Sequence, residues 1–469
     1  MSSFRRVWCH TIGCDKNLVD SEALLGRFLA AGIGIADHPD DADIWILNTC
    51  GFIAAARQDS LDAVQQIVAA KGGNRTLAVF GCWAQEHGEQ LRQRFPAIDV
   101  VAGVGQFDDI VAACTASLGT ASLHTAPHLA RYPGLSQRHL LTPGHVAFVK
   151  ISEGCSCSCT FCRIPLIRGP HRSRPVQEIV AEVRSLVERG VREIQLVSQN
   201  TSDYGRDRGE DLRGLIAALS RVDQLRWIRI LYLYSGLIGS ETLLHLLEFP
   251  PVVPYLDLPV QHASPHLLRA MKRPGDPAAT LAYLQKLRRE RPDLVLRSTV
   301  MLGFPGEQDE DVELLADFLA RVEFDHLGTY RYSPEVGTAA ADLPDRVPAE
   351  VVVDREAVIM DLQAEISMRR QVQRLGQVHE LVVDRVMTAA EEQELLVALA
   401  AGEWLEKSER IDPAVVCRDE ALVAIGRSHH FGYDLDGVVA MPGRHLQPGQ
   451  WTNVRFKGAT AFDTWAEVV

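Results

Sequence analysis

Strands that are each followed at once by a cysteine constrain this chain more than any other feature. Short apolar runs at 5–12, 44–48 and 76–80 read as buried strands, with helical periodicity at 18–31 and 53–70 between them. That alternation predicts a small parallel α/β domain, since parallel neighbours need a crossover between them. In Ile12-Gly13-Cys14, Asn48-Thr49-Cys50 and Phe80-Gly81-Cys82 the thiol lies just past the strand's carboxyl end, the edge where parallel sheets gather their ligands. Three thiols from distant sequence are therefore expected to converge.

A polar, Pro- and His-containing stretch at 124–144 reads as a linker, after which a second α/β series begins. Its strands are expected at 146–151, 193–198, 227–232, 255–258, 296–302 and 326–331. Helices are expected between them at 176–189, 211–220, 240–248, 265–272, 278–289 and 308–321. Six βα units predict an open or partial barrel rather than a closed eight-stranded one. A helix at 350–374 leads to β-like runs near 379–385, 421–425, 436–440 and 451–455, which predict a small β-barrel. The expected division is 1–123, the linker 124–144, 145–370 and 371–469, the last with an acidic, helix-prone insert at about 388–420.

The first strand of the second series runs directly into Lys150-Ile-Ser-Glu-Gly-Cys155-Ser-Cys-Ser-Cys159-Thr-Phe-Cys162-Arg-Ile-Pro165. Thiols at C-x3-C-x2-C spacing in one tight loop can bind three irons of a four-iron cluster and leave the fourth iron open. A structural zinc would need a fourth close ligand, and none is obvious; a redox pair of Cys159 and Cys162 would leave Cys155 unexplained. The ten cysteines are scattered over 469 residues, unlike the framework of a small secreted scaffold, and point to metal or redox chemistry. Apolar runs too short to span a membrane, and no signal-type stretch after the first residues, predict a cytoplasmic protein. A formal charge of −13 argues against general nucleic-acid binding.

The loop resembles that of the radical S-adenosylmethionine (SAM) superfamily, with Phe161 matching the aromatic before the third cysteine. The resemblance implies a 4Fe-4S cluster on Cys155, Cys159 and Cys162 that chelates SAM on its open iron. Reductive cleavage of SAM then yields a 5′-deoxyadenosyl radical, which must be shielded from water. Cys157 is extra to the motif and is expected to point outward. The turn from Leu302 through Gly303 to Glu307 opens a helix after a strand, and the resemblance makes it part of the cofactor pocket, with Gln199 a further cofactor contact. His262 is expected to be structural or substrate-orienting.

Almost the whole chain resembles the methylthiotransferases of that superfamily. Gly13-Cys14-Asp-Lys16-Asn17-Leu-Val-Asp20-Ser21-Glu22, Asn48-Thr-Cys50-Gly-Phe-Ile53 and Gly81-Cys82-Trp-Ala-Gln85 match their amino-terminal domain. The resemblance implies a second 4Fe-4S cluster on Cys14, Cys50 and Cys82, while Cys9, Cys114 and Cys417 are expected to be plain core or surface thiols. Asp257-Leu-Pro259-Val-Gln261-His262-Ala-Ser264 and Tyr332-Ser-Pro-Glu335-Val-Gly337-Thr338 are similar to the branch that modifies an aspartate of small-subunit ribosomal protein twelve, RimO, rather than the branch that modifies tRNA adenosine. Asn200, Asp15 and Val336 depart from that branch's pattern. Residues 371–469 resemble the TRAM barrel but carry 9 Lys plus Arg against 15 Asp plus Glu, an acidity that suits a basic protein partner better than RNA. The expected partners are that ribosomal protein and sulfur-donor and electron-donor proteins, with no membrane. The competing readings are methylthiolation of tRNA and a non-enzymatic iron-sulfur carrier.

Overall fold

The computed structural model describes residues 5–72, 75–116, 122–125, 137–273, 275–387, 423–443 and 445–469. The amino-terminal part runs β1 (Arg6–Thr11), α1 (Asp15–Ala30), β2 (Gly34–Ile35), β3 (Ile44–Thr49), α2 (Ala54–Ala70), β4 (Thr76–Gly81), α3 (Cys82–Arg94), β5 (Val100–Ala102), α4 (Phe107–Thr115) and β6 (Ser122–His124). Its strands form one sheet in the order β2-β1-β3-β4-β5-β6, parallel throughout. Every residue of β3 is buried, because helices cover both faces of a parallel sheet. Strands β5 and β6, of three residues each, are too short to carry a readable alternation and extend the sheet beyond its expected three strands.

The second part opens with β7 (Val146–Lys150) and a two-stranded hairpin of β8 (Ser152–Glu153) and β9 (Arg172–Ser173), with α5 (Ile164–Arg168) in the loop between them. Then follow α6 (Val176–Glu188), β10 (Glu193–Val197), α7 (Leu212–Leu219), β11 (Trp227–Ile230), α8 (Ser240–Leu246), β12 (Val252–Asp257), α9 (Pro265–Ala270), α10 (Pro277–Glu290), β13 (Val295–Leu302), α11 (Asp309–Val322) and β14 (His326–Arg331). The six long strands stand in sequential order from β7 to β14, all parallel, with β7 and β14 at the open edges. This is the partial barrel that the βα count predicts. Helix α6 buries Ile179, Val180, Val183, Leu186 and Val187, one apolar stripe at helical spacing, against the sheet. Helix α1 is shared: its Val19, Leu24 and Phe28 lie in one apolar cluster with Val7 and Ile46 of the first sheet and Phe148 and Tyr255 of the second.

Helix α12 (Ala349–Val372) leads to a closed barrel of β15 (Val378–Val386), β16 (Val423–Ser428), β17 (Val439–Pro442), β18 (Trp451–Ala459) and β19 (Thr464–Val468). The barrel docks on the second sheet through buried charge. Arg427 reaches Glu193 at 2.8 Å and Asp384 at 2.7 Å, and Asp436 accepts from Tyr255 at 2.6 Å and Arg297 at 3.3 Å. Trp227 and Trp451 meet edge to face with centroids 4.6 Å apart.

These contacts revise the expected acidic face. The Asp436 side chain is only 2% exposed and belongs to the seam, and Asp384 pairs with Arg427. The acidic excess resides in 388–420, where 9 Asp plus Glu face 3 Lys plus Arg; that insert and Cys417 lie outside the described residues, as does 126–136 of the linker. No helix among the described residues is long and apolar enough to cross a membrane.

Candidate active site

Two of the three amino-terminal thiols stand at helix starts. Cys14 is the N-cap of α1 and Cys82 the first residue of α3, so unpaired backbone N–H groups and the helix dipole favour negative charge at both. Cys50 follows β3, its N–H donating to Ser60 Oγ at 3.0 Å while the same hydroxyl donates to Cys50 O at 2.9 Å. The sheet register places Asn48 and Thr49 beside Phe80 and Gly81, which brings the ends of β3 and β4 level. A side chain at Gly13 would stand 3.0 Å from Cys50 Cβ, and Gly13 has φ +106°, so the loop before Cys14 requires glycine. Burial pushes the Cys82 thiol up to about 12 despite Arg168 beside it; burial also raises Cys50, and the charges of Cys14 and Cys50 act on Cys82. The three thiols therefore lie close enough for the charge of each to act on its neighbours.

The second set lies in the loop between β8 and β9. Gly154 has φ +77°, and a Cβ there would meet Pro170 O at 2.3 Å and Gly169 O at 2.4 Å, so only glycine allows the chain to turn. Cys155 N donates to Gly169 O at 3.0 Å, while Thr160 is tied to Met271 O at 3.1 Å and Ala270 O at 2.8 Å. Burial pushes Cys162 up to about 12 and raises Cys159, with Arg273 opposing both. Cys157 is not turned outward as expected. Its thiol bonds to Cys155, lowering the latter, and its sulfur accepts from Asn200 Nδ2 at 3.4 Å. The reason is local: Cys157 N donates to Cys155 Sγ at 3.4 Å, which holds the two positions together.

A buried network of charge joins the two sets. Arg168 places Nε 3.3 Å from Cys82 Sγ, grips both Glu153 oxygens at 2.9 and 3.0 Å, and reaches Asn17 Oδ1 at 2.7 Å and Asp20 Oδ2 at 3.2 Å. Lys150 completes it, 2.5 Å from Asp20 and 3.0 Å from Glu153. Two cations thus balance two carboxylates where each side chain is at most 4% exposed. Burial works against the charge of Glu153, but Arg168 and Lys150 outweigh it and hold that carboxyl at about 2. Glu153 sits two residues before Cys155, so one guanidinium spans from the second loop to the first thiol set.

The expected cofactor residues gather beside this loop. Phe161 packs with Leu267, Met271 and Phe304, the last on the Gly303 turn. Gln199 Nε2 donates to Glu153 at 2.9 Å, leaving its buried Oε1 without a protein partner. Glu307 is 3% exposed, accepts from Gly303 N at 2.9 Å and pairs with Arg355 at 2.8 Å, so its carboxylate holds the turn. His262 accepts on Nδ1 from Ala263 N and Ser264 N, both at 3.0 Å; its proton is therefore on Nε2, 3.6 Å from Glu307. That is a supporting role. Glu335 binds across to the first domain, accepting from Ala54 N at 2.8 Å and Arg57 at 2.5 Å, which caps the start of α2.

The charges around the cysteines were the part that sequence reasoning missed. Asp20, Lys150 and Glu153 stand inside the motifs and Arg168 six residues after Cys162, yet only the paired folds show that they meet. A lysine ending the otherwise apolar run Val146–Val149 was the available signal, since a strand buried on both faces tolerates a cation only when it is paired.

Comparison with known proteins agrees with this architecture. Residues 6–103 match the uncharacterized protein family UPF0004, and 149–319 match the radical SAM superfamily. The ribosomal protein uS12 methylthiotransferase RimO of Symbiobacterium thermophilum is 38% identical over 97% of this chain and 90% of its own length. That of Desulforamulus reducens is 36% identical over 98% of both. Among solved structures, the radical SAM methyltransferase TsrM of Kitasatospora setae, with cobalamin and a [4Fe-4S] cluster bound, superposes with a TM-score of 0.51 over 72% of this chain and 77% of its own, at 12% identity, a likeness of fold alone. On the near-full-length identity to these relatives, with both domain matches in register with the two thiol sets, the chain belongs to the RimO family of radical SAM methylthiotransferases.

Proposed function

We propose that this chain inserts a methylthio group at the β-carbon of an aspartate in ribosomal protein uS12, using two 4Fe-4S clusters, one on Cys14, Cys50 and Cys82 and one on Cys155, Cys159 and Cys162. The observation that carries the reading is Arg168, which bonds Cys82 of one thiol set and Glu153, two residues before Cys155 of the other. Among the described residues, the one trio of His, Cys, Asp or Glu side chains with ligand atoms all within 4.8 Å of one another is elsewhere, in the carboxyl-terminal barrel.

When bound, the clusters and SAM supply the reductive cleavage that makes a carbon radical and the sulfur that is transferred. The chain's own residues do the rest. Asn17 and Ser60 fix the loops of the first set, Gly154 and Thr160 those of the second. Phe161, Gln199 and the Gly303 turn, braced by Glu307, line the place for SAM, and the free Oε1 of Gln199 is an acceptor suited to its amino group. Arg168 balances thiolate charge between the sets. A sulfur donor and an electron donor are required as further protein partners.

The test is anaerobic reconstitution with substrate analysis by mass spectrometry. The full chain should hold about eight irons, and replacing Cys155, Cys159 and Cys162 by Ala should leave about half and abolish 5′-deoxyadenosine formation. Replacing Cys14, Cys50 and Cys82 should spare 5′-deoxyadenosine and stop methylthio product. Modified aspartate in uS12 supports the substrate; methylthioadenosine in tRNA with unmodified uS12 overturns it.

A further inference from the structure

The trio within 4.8 Å is His379, His429 and His430, remote in function from both cysteine sets. It arises from barrel geometry. His379 lies at the start of β15, and β16 ends at Ser428 in a turn, closed by Phe431 N donating to Ser428 O at 3.2 Å, that carries His429 and His430 against it. The three rings crowd together, with centroids 3.8 Å apart for His429 and His430, 4.6 Å for His379 and His430, and 5.9 Å for His379 and His429.

Ordinary structural histidines use their ring nitrogens, whereas here they are left over. Nε2 of His379 and Nε2 of His429 are both buried without a hydrogen-bond partner. His430 spends Nδ1 on Ser428 Oγ at 2.9 Å, which orients the ring and leaves Nε2 as its remaining ligand atom. A hydrogen bond to the second ring nitrogen is what commonly orients a metal-binding imidazole. The backbone beneath is pinned as well, His429 O accepting from Arg229 at 3.0 Å and His430 O from His326 at 2.8 Å.

We propose that His379, His429 and His430 form a binding site for one divalent transition-metal ion of zinc type, with water completing a tetrahedral shell on the half-buried side. Zinc sits about 2.0–2.1 Å from each imidazole nitrogen, which puts the nitrogens about 3.4 Å apart, so ligand atoms that now lie within 4.8 Å of one another need to close by at most about 1.4 Å. Neutral imidazole is the form that binds. The repulsion a dication would meet from Arg374 is reduced because that guanidinium is paired with Asp325. Zinc suits three nitrogen donors with one open position, and its gain is the pairing of two buried acceptors that otherwise have none. The ion would clip the start of β15 to the end of β16, at the seam where Arg229 and His326 hold the barrel to the second sheet.

The experiment uses the full chain, anaerobically reconstituted with iron and sulfide, then dialysed to equilibrium against buffered ZnCl2. Elemental analysis should find one zinc per chain over the unchanged iron, and zinc K-edge absorption should show a nitrogen/oxygen shell with imidazole scattering. His379→Ala and His429→Ala should each weaken retention at least tenfold without altering iron content, and the milder His429→Asn should do the same if the alanine variants fold poorly. No retained zinc, a sulfur shell, or retention indifferent to these substitutions overturns the site; none of these results bears on the uS12 reading.

Discussion

Replacing Arg168 by Met removes one of two cations from a site that holds two carboxylates, with little change in apolar volume. In the native chain the guanidinium makes five polar contacts between 2.7 and 3.3 Å, all buried. Without it Asp20 and Glu153 are left with Lys150, and an uncompensated negative charge stays in the interior. Breaking a buried pair from one side costs about 3–5 kcal/mol, whereas Arg168→Lys, which keeps the charge but loses the fork to Glu153, should cost less. The pH dependence separates electrostatics from packing. Wild-type Glu153, depressed to about 2 from an ordinary 4.5, contributes stability that is complete above about 4.5 and is lost as the pH falls toward 2. In the Met variant one of the two carboxyls keeps its proton in the folded state at a pH above its ordinary value. Burial already raises the Asp20 carboxyl in the wild type, so the variant, which has lost Arg168, gains more stability than the wild type as the pH falls from 7 to 5. Urea unfolding of the iron-free full chains at both pH values, followed by tryptophan fluorescence, measures the gap. A loss under about 1 kcal/mol at pH 7, or a gap that does not narrow at pH 5, refutes the charge-balance argument.

Two further outcomes follow from the same geometry. Glu335→Gln gives up the charge of an acceptor whose side chain is 2% exposed and which serves both Ala54 N and Arg57; a loss of about 2–4 kcal/mol is expected, and amide exchange at 54–57 should quicken more than in α6, unchanged exchange there counting against the capping role. Gly154→Ala sets a Cβ against two backbone oxygens at positive φ, so the variant should lose at least about 2 kcal/mol and about half its reconstituted iron, and a fully loaded variant of native stability would show that the loop does not need its turn.

The sequence alone determined the layers of this protein and where its thiols stand at the strand ends. Periodicity is local, so the long strands and helices from Val146 to Arg331 stand where apolar spacing puts them, and a thiol at the end of each of three strands could be placed on one edge without knowing the sheet order. Elements with too few residues to show a period escaped, as β5 and β6 did. What only the tertiary structure decided was the company of each charge. Arg168 meets Asn17 and Asp20 across about 150 positions, and Arg427 meets Glu193 across 234. Asp436 reads as surface acid in the sequence but lies against Tyr255 and Arg297, and His379 comes beside His430 only because the barrel closes. A charged or titratable side chain has no periodicity of its own; its state follows from the desolvation and partners that packing assigns, and those are properties of the whole fold.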